Sequence, residues 1–134
     1  MKVLIVDDDL NNRLLLKKFL AAYGPCDMVA SGGDALTIFE HALGEGVPYD
    51  LVCMDIMMPG MDGLQATQRI REIERQAGVP PASEVTILMV SALDSPQVVM
   101  ESFHKGGCTD YLVKPITMEK LRNKLRECGF TERK

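Results

Sequence analysis

Short runs of apolar residues alternate along this chain with longer stretches in which apolar residues recur every three or four positions. The runs are Lys2 to Val6, Cys26 to Ala30, Asp50 to Asp55, Val85 to Val90 and Thr109 to Val113. Most are continuous rather than alternating, which is the pattern of strands covered on both faces. Each is followed by a helical pattern, so the chain is expected to form five β–α units. That arrangement is an α/β fold: a single doubly wound parallel sheet of five strands with five crossover helices.

In the first helix Leu15, Phe19 and Ala22 are expected to share the buried stripe, widened by Leu16, Leu20 and Tyr23, until Gly24 and Pro25 end it. The second follows Ser31 as N-cap, lines up Leu36, Phe39 and Leu43, and stops at Gly44 and Gly46. The third runs from Asp62 with Ile70, Ile73 and Ala77 on its buried face. Arg71, Glu72, Glu74 and Arg75 fall on the opposite face, which is expected to be solvated. Gly78 to Glu84, broken by Pro80 and Pro81, reads as a surface excursion. The fourth helix, Pro96 to Lys105, has the weakest periodicity. The fifth begins at Thr117 and aligns Met118, Leu121, Leu125 and Cys128 before Gly129 closes it.

With 134 residues and 46% hydrophobic content, the chain suffices for one compact core. The domain is expected to span residues 1–129, with 130–134 as a short C-terminal tail. A net charge of −4 repels phosphate backbones and anionic lipid, so neither direct nucleic-acid binding nor membrane association is expected. Cys26, Cys53, Cys108 and Cys128 lie far apart with no C-x-x-C pair, as expected of free thiols in a reducing cytoplasm. The apolar run Val3 to Val6 is too short for a signal peptide or a membrane span, so export is not expected.

In open α/β sheets ligands collect beyond the carboxyl ends of the strands. Here the first run ends in Asp7-Asp8-Asp9, the third in Asp55, the fourth in Ser91 and the fifth in Lys114-Pro115. Carboxylates gathered on one rim raise each other's pKa unless a cation intervenes. Magnesium suits such oxygen ligands, and it commonly needs only one or two protein carboxylates plus phosphate oxygens. Asp7, Asp8 and Asp55 would be balanced by one divalent ion together with Lys114. A phosphoryl group arriving at Asp55 could then be met by the metal, by Lys114 and by the Ser91 hydroxyl. Asp9 reads as a cap for the first helix. His41 and His104 read as surface residues. The methionines Met54, Met57, Met58 and Met61 read as gap fillers rather than copper ligands.

Taken together, Val3-Leu4-Ile5-Val6-Asp7-Asp8-Asp9, Asp55-Ile56-Met57-Met58-Pro59-Gly60-Met61-Asp62-Gly63, Ser91-Ala92 and Tyr111-Leu112-Val113-Lys114-Pro115 closely resemble the response-regulator receiver family, the CheY-like domains of two-component signalling. The resemblance spans nearly the whole chain and implies a flavodoxin-like strand order 2-1-3-4-5. It implies that Asp55 is the phosphoacceptor, assisting its own phosphorylation and dephosphorylation rather than acting as an enzyme. It further implies that Asp8 and Asp55 bind Mg2+ directly, Asp7 through water, and the Met57 backbone carbonyl as the last protein ligand. Lys114 would contact the phosphoryl oxygens, and the Lys114–Pro115 bond would be cis. Ser91 and Tyr111 would form the switch pair, Tyr111 turning inward as Ser91 moves toward the phosphate. Ser91 stands where many members carry threonine.

The resemblance also implies a histidine kinase or histidine phosphotransfer protein as phosphodonor, and a downstream protein target read through the fourth helix, fifth strand and fifth helix. The chain would be a monomer or a phosphorylation-dependent dimer. Met57 and Leu93, apolar at positions that vary in the family, predict slow self-dephosphorylation. A native-looking Met1 suggests a free-standing switch, with a module of a larger regulator or hybrid kinase as the alternative. A haloacid-dehalogenase-like phosphohydrolase would use Asp7-x-Asp9 but leaves Asp55 unexplained. A flavin-binding electron carrier would need a phosphate loop where this chain is triply acidic.

Overall fold

The computed structural model describes residues 1–132. Strands β1 (Val3–Val6), β2 (Cys26–Val29), β3 (Leu51–Met54), β4 (Thr86–Ser91) and β5 (Asp110–Val113) form one sheet in the order β2-β1-β3-β4-β5. All four pairings are parallel. Helices α1 (Leu10–Leu20), α2 (Gly32–Gly44), α3 (Gly63–Gln76), α4 (Pro96–Glu101) and α5 (Met118–Glu127) make the crossovers and the C-terminal end. This is the expected flavodoxin-like architecture, with strand ends within one residue of those read from the apolar runs.

Alternate strand residues enter two cores, which is why the runs are continuous. Leu4, Val6, Val52, Met54, Ile87 and Met89 face Phe39 of α2 and Ile70 of α3. Val3, Ile5, Leu51, Cys53, Leu88 and Val90 face Leu16 and Leu20 of α1 and Leu121 and Leu125 of α5. Each such large side chain contributes roughly 1.5–3 kcal/mol of burial, so both layers pin the strand register. In that register Val6 lies opposite Met54, and Ser91 lies opposite Val113. Asp7 and Asp55 therefore leave the sheet side by side, and Lys114 leaves it beside β4.

Three local expectations are corrected. In α1 the buried residues are Leu16 and Leu20, continued by Tyr23, whereas Leu15 is 38% exposed. In α3 the buried face is Ala66, Thr67 and Ile70 together with Arg71 and Glu74, while Ala77 is exposed. The face expected to be solvated is so only at Glu72 and Arg75. Arg71 donates to the carbonyls of Gly107 and Val85, both at 2.9 Å, and to Glu74 Oε1 at 2.7 Å. Glu74 Oε2 accepts the Val85 N–H at 2.7 Å. Two charges can be buried here because backbone partners from Val85, just before β4, and from the segment before β5 converge on them.

The fourth helical segment also differs, since α4 opens at Ser102–Gly106 into a π-helical turn. There the Ser102 hydroxyl donates to the Val98 carbonyl at 2.9 Å, and Gly107, at φ 76°, ends the turn. The excursion before β4 is exposed and holds a 3-10 turn at Pro81–Ser83. The described part of the expected tail folds back, with Phe130 against the α1/α5 core and Arg122 2.8 Å from Glu132. Arg133 and Lys134 lie outside the described residues.

Candidate functional site

β1 delivers Asp7 and Asp8 to the carboxyl rim of the sheet, and β3 delivers Asp55 beside them. Their carboxylates can each offer one oxygen such that all three lie within 4.8 Å of one another. Asp7 is 1% and Asp55 6% exposed, whereas Asp8 faces solvent. The site is thus a buried acidic floor with one open edge. Lys114, following β5 through a cis bond to Pro115, places Nζ 3.1 Å from Asp7 Oδ2 and 3.7 Å from Asp55 Oδ1. Three carboxylates against one ammonium leave two negative charges uncompensated.

That imbalance shows in Asp55. Burial first, then the neighbouring Asp7, push its carboxyl up to about 6, although Lys114 and a backbone hydrogen bond from Met57 pull the other way. Carboxylate oxygens and an excess of two negative charges match one hard divalent cation, so the donor set fits magnesium. The exposed Asp8 leaves that cation a way in.

Neighbouring backbone holds the acids in place. Asp7 Oδ1 accepts the Asp9 N–H at 2.9 Å, and Arg13 Nη1 donates to the Asp7 carbonyl at 2.7 Å. Asp9 itself caps α1 by accepting the Asn12 N–H at 3.2 Å, the role expected of it. A nucleophile at Asp9 is thereby disfavoured. After Asp55 a loop of residues 56–62 leads into α3, capped by a reciprocal Asp62 and Gln65 box. A Cβ at Gly63 would stand 2.0 Å from the Asp55 carbonyl oxygen, so only glycine fits there. Gly63 lay within the quoted motif without a role, and the Asp62-x-x-Gln65 spacing was the available signal for this closure. Arg13 carried no signal.

Ser91 is fully buried at the end of β4, its Oγ accepting the Leu93 N–H at 3.2 Å. It does not cap α4, a task that Ser95 performs. Tyr111 is buried, and its hydroxyl donates to the Leu93 carbonyl at 2.6 Å, so the ring points inward in this structure. Burial raises the Tyr111 phenol above its usual range. The two expected switch residues therefore grip the same residue, Leu93. Met57 exposes its side chain beside the site, while His41 and His104 are exposed and play no part.

A buried aspartate at the carboxyl rim of a five-stranded flavodoxin-like sheet, flanked by two acids and a lysine, defines a phosphoacceptor signalling domain. Residues 3–126 match the response regulator receiver domain, and the chain belongs to that family. Its members are signalling phosphoacceptors of two-component systems rather than classical enzymes. The chain is 34% identical over 129 residues to hybrid signal transduction histidine kinase L of Dictyostelium discoideum, covering 96% of this chain but only 7% of that protein. It is 33% identical to two-component response regulator ORR41 of Oryza sativa subsp. japonica, covering 90% of this chain and 88% of that one. The receiver domain of the histidine kinase CKI1 from Arabidopsis thaliana, complexed with Mg2+ and BeF3−, superposes with a TM-score of 0.80 at 28% identity, over 96% of this chain and 89% of that one. So does a chain in the co-crystal structure of the Saccharomyces cerevisiae histidine phosphotransfer signaling protein Ypd1 and the receiver domain of its downstream response regulator Ssk1, with a TM-score of 0.80 at 28% identity over 95% and 87%. Among the described residues no helix is long and apolar enough to cross a membrane.

Proposed function

We propose that Asp55 accepts a phosphoryl group from a phosphohistidine on a histidine kinase or histidine phosphotransfer protein, and that the switch formed by Ser91 and Tyr111 reports it to a downstream protein. The observation carrying this reading is the burial of Asp55 within a three-carboxylate cluster whose lysine lies 3.7 Å away. Asp8 and Asp55 would hold magnesium directly, Asp7 through water, with the Met57 carbonyl as a further ligand, and the ion when bound supplies positive charge toward the phosphoryl oxygens. The Asp55 carboxylate attacks phosphorus in line. A P–O bond forms as the P–N bond breaks, and the electron pair leaves with the donor imidazole.

Lys114 is already aimed at the cluster and needs little movement to hydrogen-bond a phosphoryl oxygen. The Ser91 hydroxyl accepts from Leu93, so its own O–H remains able to donate to the phosphoryl group. Burial of Asp55 and Asp7 keeps water from surrounding the acyl phosphate, and the apolar Met57 and Leu93 offer no group to orient an attacking water. Slow self-dephosphorylation follows from that. The exposed leucines Leu10 and Leu14 of α1 lie beside this rim and suit the docking of the donor protein. On α4 the exposed Met100 and the partly exposed Phe103 suit an output face made of α4, β5 and α5. A cytoplasmic setting fits the buried unpaired thiols Cys53 and Cys108, both pushed up to about 12 by burial. The domain acts as a monomer or as a phosphorylation-dependent dimer, with residues 1–129 as its body and Phe130 of the tail packed against it.

The test is treatment with acetyl phosphate, with and without magnesium, read by intact mass. Wild type is expected to gain one phosphoryl group only with magnesium, Asp55→Asn to gain none, and Lys114→Ala to be labelled far more slowly. Equal labelling of wild type and Asp55→Asn would place the phosphoacceptor elsewhere.

A further inference from the structure

The two helices α2 and α3 leave a groove between them that runs from mid-helix to the amino-terminal rim of the sheet, the end opposite Asp55. Along the seam its floor is Leu36, Leu43 and Ile73, with Glu40 and Gln76 on its walls. At the rim it deepens into a cavity of about 530 Å³ lined by Phe39, Tyr49, Val85 and Phe130. The cavity shares Leu43 and Ala77 with the seam, so the depression is continuous. Its elongated shape, flanked by two helices, fits a chain segment better than a compact metabolite.

Charge selects the sign of that segment. Asp50 and Glu84 line the deep end, Glu84 partly offset by Arg71 at 3.5 Å, and Glu40 borders the seam without an ion pair among the described residues; Glu74 also lines the deep end but is buried and offset by Arg71. The carboxyl ends of α2 and α3, at Gly44 and Gln76, converge on the same cavity and add the negative ends of two helix dipoles. Three nearby cations are engaged. Arg71 is tied to Glu74 at 2.7 Å and to Glu84 at 3.5 Å, Arg69 to Glu72 at 3.6 Å, and Lys2 to the Val47 carbonyl at 2.8 Å, with its Nζ 4.3 Å above the Tyr49 ring. Apolar floor and acidic rim together call for apolar side chains alternating with lysine or arginine.

We propose that this groove docks a basic amphipathic segment of a partner protein, separately from the phosphodonor and from the α4-β5-α5 face. Because it sits at the other end of the sheet from Asp55, it can be filled while the phosphoacceptor is engaged. Its role is then to hold the domain beside a partner whatever its phosphorylation state.

The probe is a peptide of leucine and lysine alone, patterned as an amphipathic helix about four turns long, titrated into 15N-labelled full chain. A leucine and glutamate peptide of the same pattern is the control. Amide shifts are expected along residues 36–43 and 73–85 with the lysine peptide only, and equally in Asp55→Asn. Reversing two rim charges in Glu40→Lys/Glu84→Lys is expected to weaken binding about tenfold. Ala77→Trp, an exposed position that crowds the groove and leaves Arg71 with its partners, is expected to do the same. Shifts centred on α1 or α4 and α5, an unchanged affinity in both variants, or no binding would overturn the proposal.

Discussion

Replacing Asp55 with asparagine is expected to stabilise the metal-free protein at neutral pH, even though the change removes the residue on which the proposed function rests. In the folded chain the Asp55 carboxyl is raised from 3.8 to about 6. Between those values the folded state keeps a proton that the unfolded chain has released. Stability therefore falls as pH rises from about 4 to 6 and stays lowered above it. A shift of roughly two units at about 1.36 kcal/mol each sets an upper bound near 3 kcal/mol. Solvent at the open Asp8 edge screens part of this, leaving about 1–2 kcal/mol. For a chain of 134 residues that is a rise of roughly 4–7 °C in Tm. Asparagine keeps an oxygen for the Met57 amide, and Lys114 keeps Asp7 at 3.1 Å, so no partner is stranded. The assay is thermal unfolding in EDTA from pH 4 to 8. Wild type should show the declining limb and the variant should lack it. Added magnesium should then raise the wild-type Tm much more than that of the variant. Parallel pH profiles for the two proteins, or a variant less stable than wild type at pH 7.5 in EDTA, would refute the electrostatic reading of the site.

Two further outcomes are expected. Arg71→Met strands Glu74, only 2% exposed, and should cost about 3–5 kcal/mol in urea unfolding, while Arg71→Met/Glu74→Leu should recover much of that loss. Phosphorylated wild type, freed of donor and kept in magnesium, should retain its phosphoryl group for minutes or longer by intact mass, and Met57→Asn should shorten that lifetime. Loss within seconds in wild type would contradict the role given to Met57 and Leu93.

The strands and the acidic rim were legible because each needs only a few adjacent residues: a buried strand is a continuous apolar run, and the charged residue ending it marks the rim. The place of Lys114 on that rim was legible for the same reason. Helix faces were less legible where burial depends on partners distant in sequence. Leu14, Leu15 and Leu16 stand in a row, and only the docking of α1 against α5 and the sheet selects Leu16. Arg71 and Glu74 look like surface charges on a helical wheel. What buries them is the convergence of Val85 and Gly107, 14 and 36 residues from Arg71, which no local pattern encodes. The π-helical turn after α4 has no local sequence signature; within it one serine hydroxyl shares a backbone carbonyl.

The missing side chain at Gly63 has a mechanical consequence. With the Gly63 N–H on the Ile56 carbonyl at 2.9 Å and no atom between its Cα and the Asp55 carbonyl, the first turn of α3 rests on the backbone that carries the acceptor. Strand tip and helix are in direct contact across the loop between them. A shift of the Asp55 backbone would bear on this fourteen-residue helix, whose far side carries Arg71 and its bond to the segment leading into β5. The domain thus ties the Asp55 backbone to its α3 side, apart from the bonds that Ser91 and Tyr111 make to Leu93.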